Sequence, residues 1–233
     1  MRSVENFYDT FASQQEAMGI NLRHNAIDKW CTKFELQPTD NVLEIGCGIG
    51  TQTELLSNRI TNGHIDSFDI SSKSIDIAKK RLNDRINVTF TAADILKTEL
   101  KKDFYDFVLL PDVLEHIPIE VHGMLFEKIS HAAKPEAKIL IHIPDPYYNQ
   151  WVSVHHPELQ QIIDQNLYMP IIAKQIYDAG LYIEYLKTYD LHVNNGDYQV
   201  ILLRKVREKV YHPMIRSKTL LSKIVWKLGS SLK

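Results

Sequence analysis

A chain of 233 residues that is 44% hydrophobic and 24% charged is long enough for one large core with additions, and its balance excludes disordered and fibrous classes. The formal charge of −2 hides an asymmetry: residues 204–233 carry nine Lys and Arg against one acid, a net of +8, which leaves −10 on residues 1–203. An acidic body disfavours a broad nucleic-acid surface, no apolar run reaches the ~18 residues of a membrane span, and the two cysteines, Cys31 and Cys47, form neither a disulfide framework nor a metal spacing.

Cysteine usage of this kind suits a reducing compartment, and Met1 opens no basic, apolar, small-residue leader, so a cytoplasmic location is expected. Residues 1–37, with Phe7, Tyr8, Phe11, Arg23 and His24, read as a helical lid ahead of the first strand. Then strand and helix patterns alternate. Strands are predicted at 41–46, 64–69, 87–91, 104–110, 137–143, 181–189 and 197–204. Helical stripes follow Ser71, with Ile75, Ala78 and Leu82 on one face, and cover 118–133 and 170–179. Five β-α units followed by two strands are expected. The turn signal Asn194-Asn195-Gly196-Asp197 makes the last pair a hairpin, so the final strand should run antiparallel to an otherwise parallel sheet.

The first strand ends in Glu44-Ile45-Gly46-Cys47-Gly48-Ile49-Gly50-Thr51. Gly46 and Gly48 let the backbone turn sharply and bring amides close to a ligand, and Gly50 lets the next helix pack closely. Glycine turns alone are common in α/β proteins; three acids at later strand ends strengthen the signal. They are Asp69 in Phe68-Asp69-Ile70-Ser71, Asp94 in Ala92-Ala93-Asp94-Ile95, and Asp112 in Pro111-Asp112-Val113-Leu114-Glu115-His116-Ile117-Pro118.

Taken together, in this order and at these intervals, the motifs resemble the Rossmann-like (class I) S-adenosylmethionine-dependent methyltransferases over about residues 40–205. That resemblance implies an α/β fold: a seven-stranded, mostly parallel sheet with an antiparallel last strand, helices on both faces and an N-terminal helical lid. The division is 1–37 as lid, 38–206 as cofactor-binding domain with a substrate-side insertion at 144–169, and 207–233 as basic tail.

S-adenosylmethionine presents a ribose diol, an adenine amine and a zwitterionic methionine end. Asp69, about 20 residues after the glycine loop, would accept from the ribose hydroxyls, with N-capping of the following helix as its alternative. Ile70 would wall the adenine, Asp94 would accept from the adenine amine, and Ile95 would pack on the ring. Glu44 would lie near the methionine amine or order the glycine loop, and Asp112 would contact that amine or orient its own loop. Methyl transfer to a hydroxyl needs alignment and a proton acceptor, which suits His116; its alternative is ordering the loop. His155 and His156 are further candidate catalytic residues.

Asp112, Glu115 and His116 stand at i, i+3 and i+4, so a helical turn could gather them with His155 or His156 around a divalent ion; no metal is expected, and this is the competing reading. Arg23 is a candidate for an anionic group of cofactor or substrate. Tyr147, Tyr148 and Trp151 are candidates for a pocket wall against a ring-containing acceptor such as a sugar. In the tail, Leu220, Leu221, Ile224, Val225 and Leu228 share a helical face opposite basic residues, which fits either an anionic membrane surface or packing on protein.

The expected function is transfer of a methyl group from S-adenosylmethionine to a small-molecule acceptor, with a saccharide or glycan-precursor hydroxyl favoured. A phenol or quinone acceptor, and a cofactor-binding scaffold without turnover, are the alternatives. Nucleic acid is not an expected partner, and nothing in the sequence sets an oligomeric state.

Overall fold

The computed structural model describes residues 19–161 and 163–206. Its first half runs α1 (Leu22–Lys33), β1 (Asn41–Ile45), α2 (Thr51–Arg59), β2 (His64–Asp69), α3 (Ser72–Arg81), β3 (Val88–Ala92) and β4 (Tyr105–Pro111). The second half runs α4 (His122–Ala132), β5 (Ala133–Pro144), α5 (Pro146–His155), α6 (Met169–Asp178), β6 (Leu181–Tyr189) and β7 (Tyr198–Lys205). The seven strands form one sheet in the order β3-β2-β1-β4-β5-β7-β6, parallel except for β7, which lies antiparallel between β5 and β6.

Apolar runs make the middle strands. Val42 and Leu43 of β1 and Phe107 to Leu110 of β4 are fully buried, as strands covered on both faces require. Alternate residues go to opposite sides: Leu43, Val108, Leu110, Ile139 and Ile141 meet Leu125, Phe126 and Ile129 of α4 and Ile172 and Ile176 of α6. Val42, Phe107, Leu109 and Leu140 meet Ile27 and Cys31 of α1 and Leu56 of α2 on the other face. Each such side chain removed from water contributes about 1.5–3 kcal/mol, so the two apolar layers dominate the stability of the sheet.

Strand order reverses at β1, which pairs with β2 on one side and β4 on the other. The crossovers to the two sides diverge there and leave a crevice at the carboxyl ends of the strands.

Two connections differ from expectation. Residues 93–104, between β3 and β4, hold a turn instead of a fifth β-α unit's helix. Asp94 folds back on the chain there: its carboxylate accepts from Leu96 N at 3.0 Å and its carbonyl accepts from the Thr98 hydroxyl at 2.9 Å, local bonds that compete with a helix. The stripe expected over 118–133 is divided into a 3-10 turn at Ile119–Val121 and α4, and β5 starts at Ala133 instead of 137. Pro118, in extended backbone, separates this turn from the preceding one at Leu114–His116.

Of the expected lid, α1 is described, and it packs into the core through Ile27 and Cys31. Phe7, Tyr8 and Phe11, and the basic tail 207–233 with its expected membrane contact, lie outside the described residues. No described helix is long and apolar enough to cross a membrane.

The β6–β7 hairpin closes through Asn195 and Gly196, both in the left-handed region at φ 78° and 83°. Buried Asp197 fastens it, one carboxylate oxygen accepting from Leu191 N at 2.6 Å and the other from His192 N at 2.8 Å. Replacing Asp197 by Ala strands both amides, so Asp197→Ala should lower the unfolding free energy in urea by about 1–3 kcal/mol with an unchanged m-value.

Candidate functional site

At the carboxyl ends of β1 to β4 lies a cavity of about 580 Å³. The glycine loop, Asp69, Ile70, Asp94, Ile95, Asp112, Val113 and His116 line it. Gln161, Ile163, His192 and Tyr198 reach it from the second half of the chain. The start of α1 closes it on the remaining side. Asn21 caps that helix, accepting from Arg23 N at 3.0 Å and His24 N at 3.4 Å while its own amide donates to His24 Nδ1. This cap presents Arg23 and His24 to the cavity. Burial lowers the pKa of His24 to about 4, so its ring is neutral near pH 7.

Gly46 takes φ 79° and its amide donates to Phe68 O at 2.7 Å, with the Cys47 amide on the same carbonyl. A Cβ on Gly46 would stand 2.5 Å from Val113, so this position excludes every side chain. Gly48, at φ 53°, donates its amide to Asp69 Oδ2 at 2.8 Å. The other oxygen of Asp69 accepts from Ser71 N at 2.9 Å. Ser71 is the N-cap of α3, accepting from Ser74 N, so the Asp69 carboxylate joins the glycine loop to the end of β2 while Ser71 performs the capping. Burial pushes the Cys47 thiol well above its ordinary pKa, which leaves it a packing group in the loop.

At the end of β4, Asp112 stands in the left-handed region with φ 53° and its side chain is 6% exposed. Burial alone would raise its pKa, but Arg23 at 3.2 Å and His142 at 3.0 Å more than offset this and hold the carboxyl below its ordinary value. His142 of β5 donates from Nδ1 to Asp112 Oδ1, contacts the Tyr189 hydroxyl through Nε2 at 2.7 Å and stacks on Tyr198 at 4.7 Å. Burial raises the Tyr189 phenol to about 12. Arg23 is 30% open to the cavity, and the negative charge of Asp112 raises its pKa.

His116 lines the cavity with its Nδ1 2.6 Å from Ile163 O. A carbonyl can only accept, so Nδ1 carries the proton and Nε2 the lone pair. Burial lowers the pKa of His116 and keeps it neutral near pH 7. Glu115 beside it is 2% exposed, and burial together with Asp112 pushes its carboxyl well above the ordinary value. Asp112 is therefore held ionised and turned toward Arg23 and His142, while burial favours the protonated form of Glu115. Among the described residues no three His, Cys, Asp or Glu side chains are grouped to hold a metal.

Several expected residues lie elsewhere. His155 and His156 end α5 on the surface; His155 bonds Trp151 O and stacks on Trp151 at 4.6 Å, and His156 pairs with Glu158. Tyr147, 71% exposed, and Trp151, 47% exposed, are outside the cavity, as is Tyr148, which stacks on Trp151. The cause is that Asp145 caps α5 and turns the insertion into a helix whose inner face holds Asn149 and Val152, so the aromatics go outward. The insertion reaches the cavity through Gln161 and Ile163 instead, anchored by Gln165, whose amide donates to Glu115 O and Ile117 O.

Glu44 also faces away: it is fully buried beneath the glycine loop and accepts from Thr53 of α2 at 2.6 Å and Ser67 of β2 at 2.7 Å. Residues missed in the sequence are His142, Tyr198, His192, Gln161, Ile163 and Gln52. His142 had a readable signal, as the one polar residue within the apolar run Ile139 to Ile143.

Residues 42–136 match a family model described as a methyltransferase domain. The chain is 28% identical over 116 residues, 50% of its length and 43% of the relative's, to a phosphoethanolamine N-methyltransferase of Plasmodium falciparum. It is 33% identical over 139 residues, 60% of its length and 52% of the relative's, to a malonyl-[acyl-carrier protein] O-methyltransferase of Ilyobacter polytropus. These matches thus span about half the length of the curated relatives. A solved methyltransferase in complex with the Trm112 activator of Haloferax volcanii superposes with a TM-score of 0.73 at 17% identity, covering 90% of this chain and all of that one. Residues 42–136 thus resemble a methyltransferase domain, and the fold is one shared with solved methyltransferases.

Burial raises the Glu44 carboxyl to about 7, against 4.5 unfolded. A raised native pKa means that the folded protein binds the proton more tightly, so this contribution is complete below pH 4.5 and is lost as pH rises through 7. Glu44→Gln keeps the acceptor for Thr53 and Ser67 without the titration. The variant should gain up to about 3 kcal/mol on the wild type between pH 4.5 and 8, as measured by urea unfolding at several pH values.

Proposed function

We propose that the chain transfers a methyl group from S-adenosylmethionine to a hydroxyl of a small molecule. One observation carries this reading: the glycine loop, clasped by Asp69, opens on a cavity that also gathers Asp94, Asp112 and His116. The residues fit the cofactor. Gly46 leaves a cradle that any Cβ would fill. Asp69 and Asp94 offer carboxylate oxygens to hydroxyl and amine donors, and Ile70 and Ile95 offer apolar faces to the base. Bound there, the cofactor supplies an electrophilic methyl on a sulfonium.

The chain's own residues do the rest. Asp112, fixed by Arg23 and His142, contributes one negative charge at the end of β4, where it attracts the ammonium and sulfonium side of the ligand. The start of α1, which lines the crevice with Arg23 and His24, helps to exclude water from it. His116, neutral and with its lone pair on Nε2, accepts the proton of the acceptor hydroxyl as the oxygen attacks in line.

The hydroxyl assignment rests on His116, since a carboxylate acceptor such as the name of the malonyl relative suggests needs no base. The saccharide preference drawn from Tyr147, Tyr148 and Trp151 loses its support with those rings outside the cavity.

Calorimetric titration with S-adenosylmethionine and S-adenosylhomocysteine tests the cofactor reading. Wild-type binding with at least about tenfold loss in Asp69→Ala, worth about 1.4 kcal/mol, is the expected result, and no binding at millimolar ligand would overturn it. With an acceptor in hand, His116→Gln should slow transfer by about 10²–10⁴ without changing cofactor affinity. Because burial lowers its pKa, the wild-type rate should stay flat through pH 7 and fall only below the ordinary histidine value; the variant should lack that acid limb.

A further inference from the structure

Gln52, in the first turn of α2, lines the cavity and is 3% exposed. Both its amide atoms, Nε2 and Oε1, find no hydrogen-bond partner among the described residues. A buried amide unmet at both ends is a penalty in the folded chain that a bound group can relieve.

The helix geometry says which part of a ligand lies there. Residues 52, 56 and 59 fall on one stripe of α2. Leu56 packs with Ile27 and Cys31 of α1, and Arg59 pairs with Asp28 of α1, its Nη2 2.6 Å from Oδ2. The stripe that carries Gln52 therefore faces α1. Seven residues before Arg59 on α2 it stands level with the start of α1, where Arg23 and His24 precede Asp28 by five and four residues. Both helices open their N-terminal turns on the cavity, and no side chain caps α2, whose N-cap is Gly50. Asp69, Ile70, Asp94 and Ile95 follow β2 and β3, on the far side of β1 from β4, which Arg23 of α1 meets through Asp112.

A corner with the Arg23 guanidinium, the positive end of α2 and an amide offering one donor and one acceptor suits a zwitterionic α-amino acid. We propose that Gln52 recognises the amino-acid end of the cofactor, Nε2 donating to its carboxylate and Oε1 accepting from its ammonium. The assignment rests on the methyltransferase reading above.

Two ligands separate the ends: S-adenosylhomocysteine carries the amino acid, and 5′-methylthioadenosine lacks it. Calorimetry on the full chain should show Gln52→Met, close in length and apolar, losing at least about tenfold in affinity for S-adenosylhomocysteine and less than about twofold for 5′-methylthioadenosine. The thermal midpoint of the ligand-free protein should not fall, because the substitution removes two unmet polar atoms. Gln52→Glu, which sets a carboxylate against that of the ligand, should show the same selective loss and serves if Gln52→Met does not fold. Equal loss for both ligands would mark Gln52 as a packing residue and overturn the inference. So would unchanged affinity for S-adenosylhomocysteine. Wild-type protein that binds neither ligand would overturn the methyltransferase reading as well, so the two failures are distinguishable.

Discussion

An ionised carboxylate at the end of a buried strand must be compensated, and the compensation of Asp112 organises this molecule. Its partners come from three other places in the chain: Arg23 from the start of α1, His142 from β5 and, through His142, Tyr189 from β6. Losing one partner would leave a charge in a medium that solvates it poorly, a penalty of several kcal/mol. The ion therefore ties the covering helix to the sheet and aligns β4, β5 and β6 at their functional ends. Trp30 extends the same connection to the back of α1, packing edge-on against Tyr189.

A second constraint acts one strand away. The chain leaving β1 must turn sharply at the floor of the cavity and immediately start α2. It does so with left-handed backbone at Gly46, Gly48 and Gly50, and Asp69 holds the turn by accepting from Gly48 N. Glu44 supports the loop from below by joining α2 to β2 through Thr53 and Ser67. Two carboxylates on neighbouring strands thus differ in role through environment alone: Asp112 is held ionised by the Arg23 cation and the hydrogen bond from His142, and Glu44, with hydroxyl donors but no cation, is pushed toward neutrality.

Local pattern carried most of the fold. Apolar runs located the central strands β1, β4 and β5, because a strand covered on both faces is apolar through most of its length, and the Asn-Asn-Gly-Asp turn announced the hairpin that makes β7 antiparallel. The third crossover misled, since the helical character of residues 93–104 was weaker than the side-chain bonds by which Asp94 and Thr98 close a turn. At the site, residues adjacent to strand ends were legible because a strand end fixes where the next side chain goes. The insertion was not: Tyr147, Tyr148 and Trp151 are as aromatic as a pocket wall, but the rotation of a ten-residue helix decides which face looks inward.

The sequence by itself determined the class of domain, the glycine loop and the order of acids after β1, β2, β3 and β4, because each depends on residues within a few positions of one another. Tertiary structure alone decided which of those residues share a cavity. It placed Glu44 beneath the loop, carried His155 and His156 to the surface, brought His192, Tyr198, Gln161 and Gln52 to the cavity, and set His142 behind Asp112. Those outcomes depend on strand order and helix rotation, which join residues up to 175 positions apart such as Arg23 and Tyr198, and neither propensity nor spacing encodes such contacts.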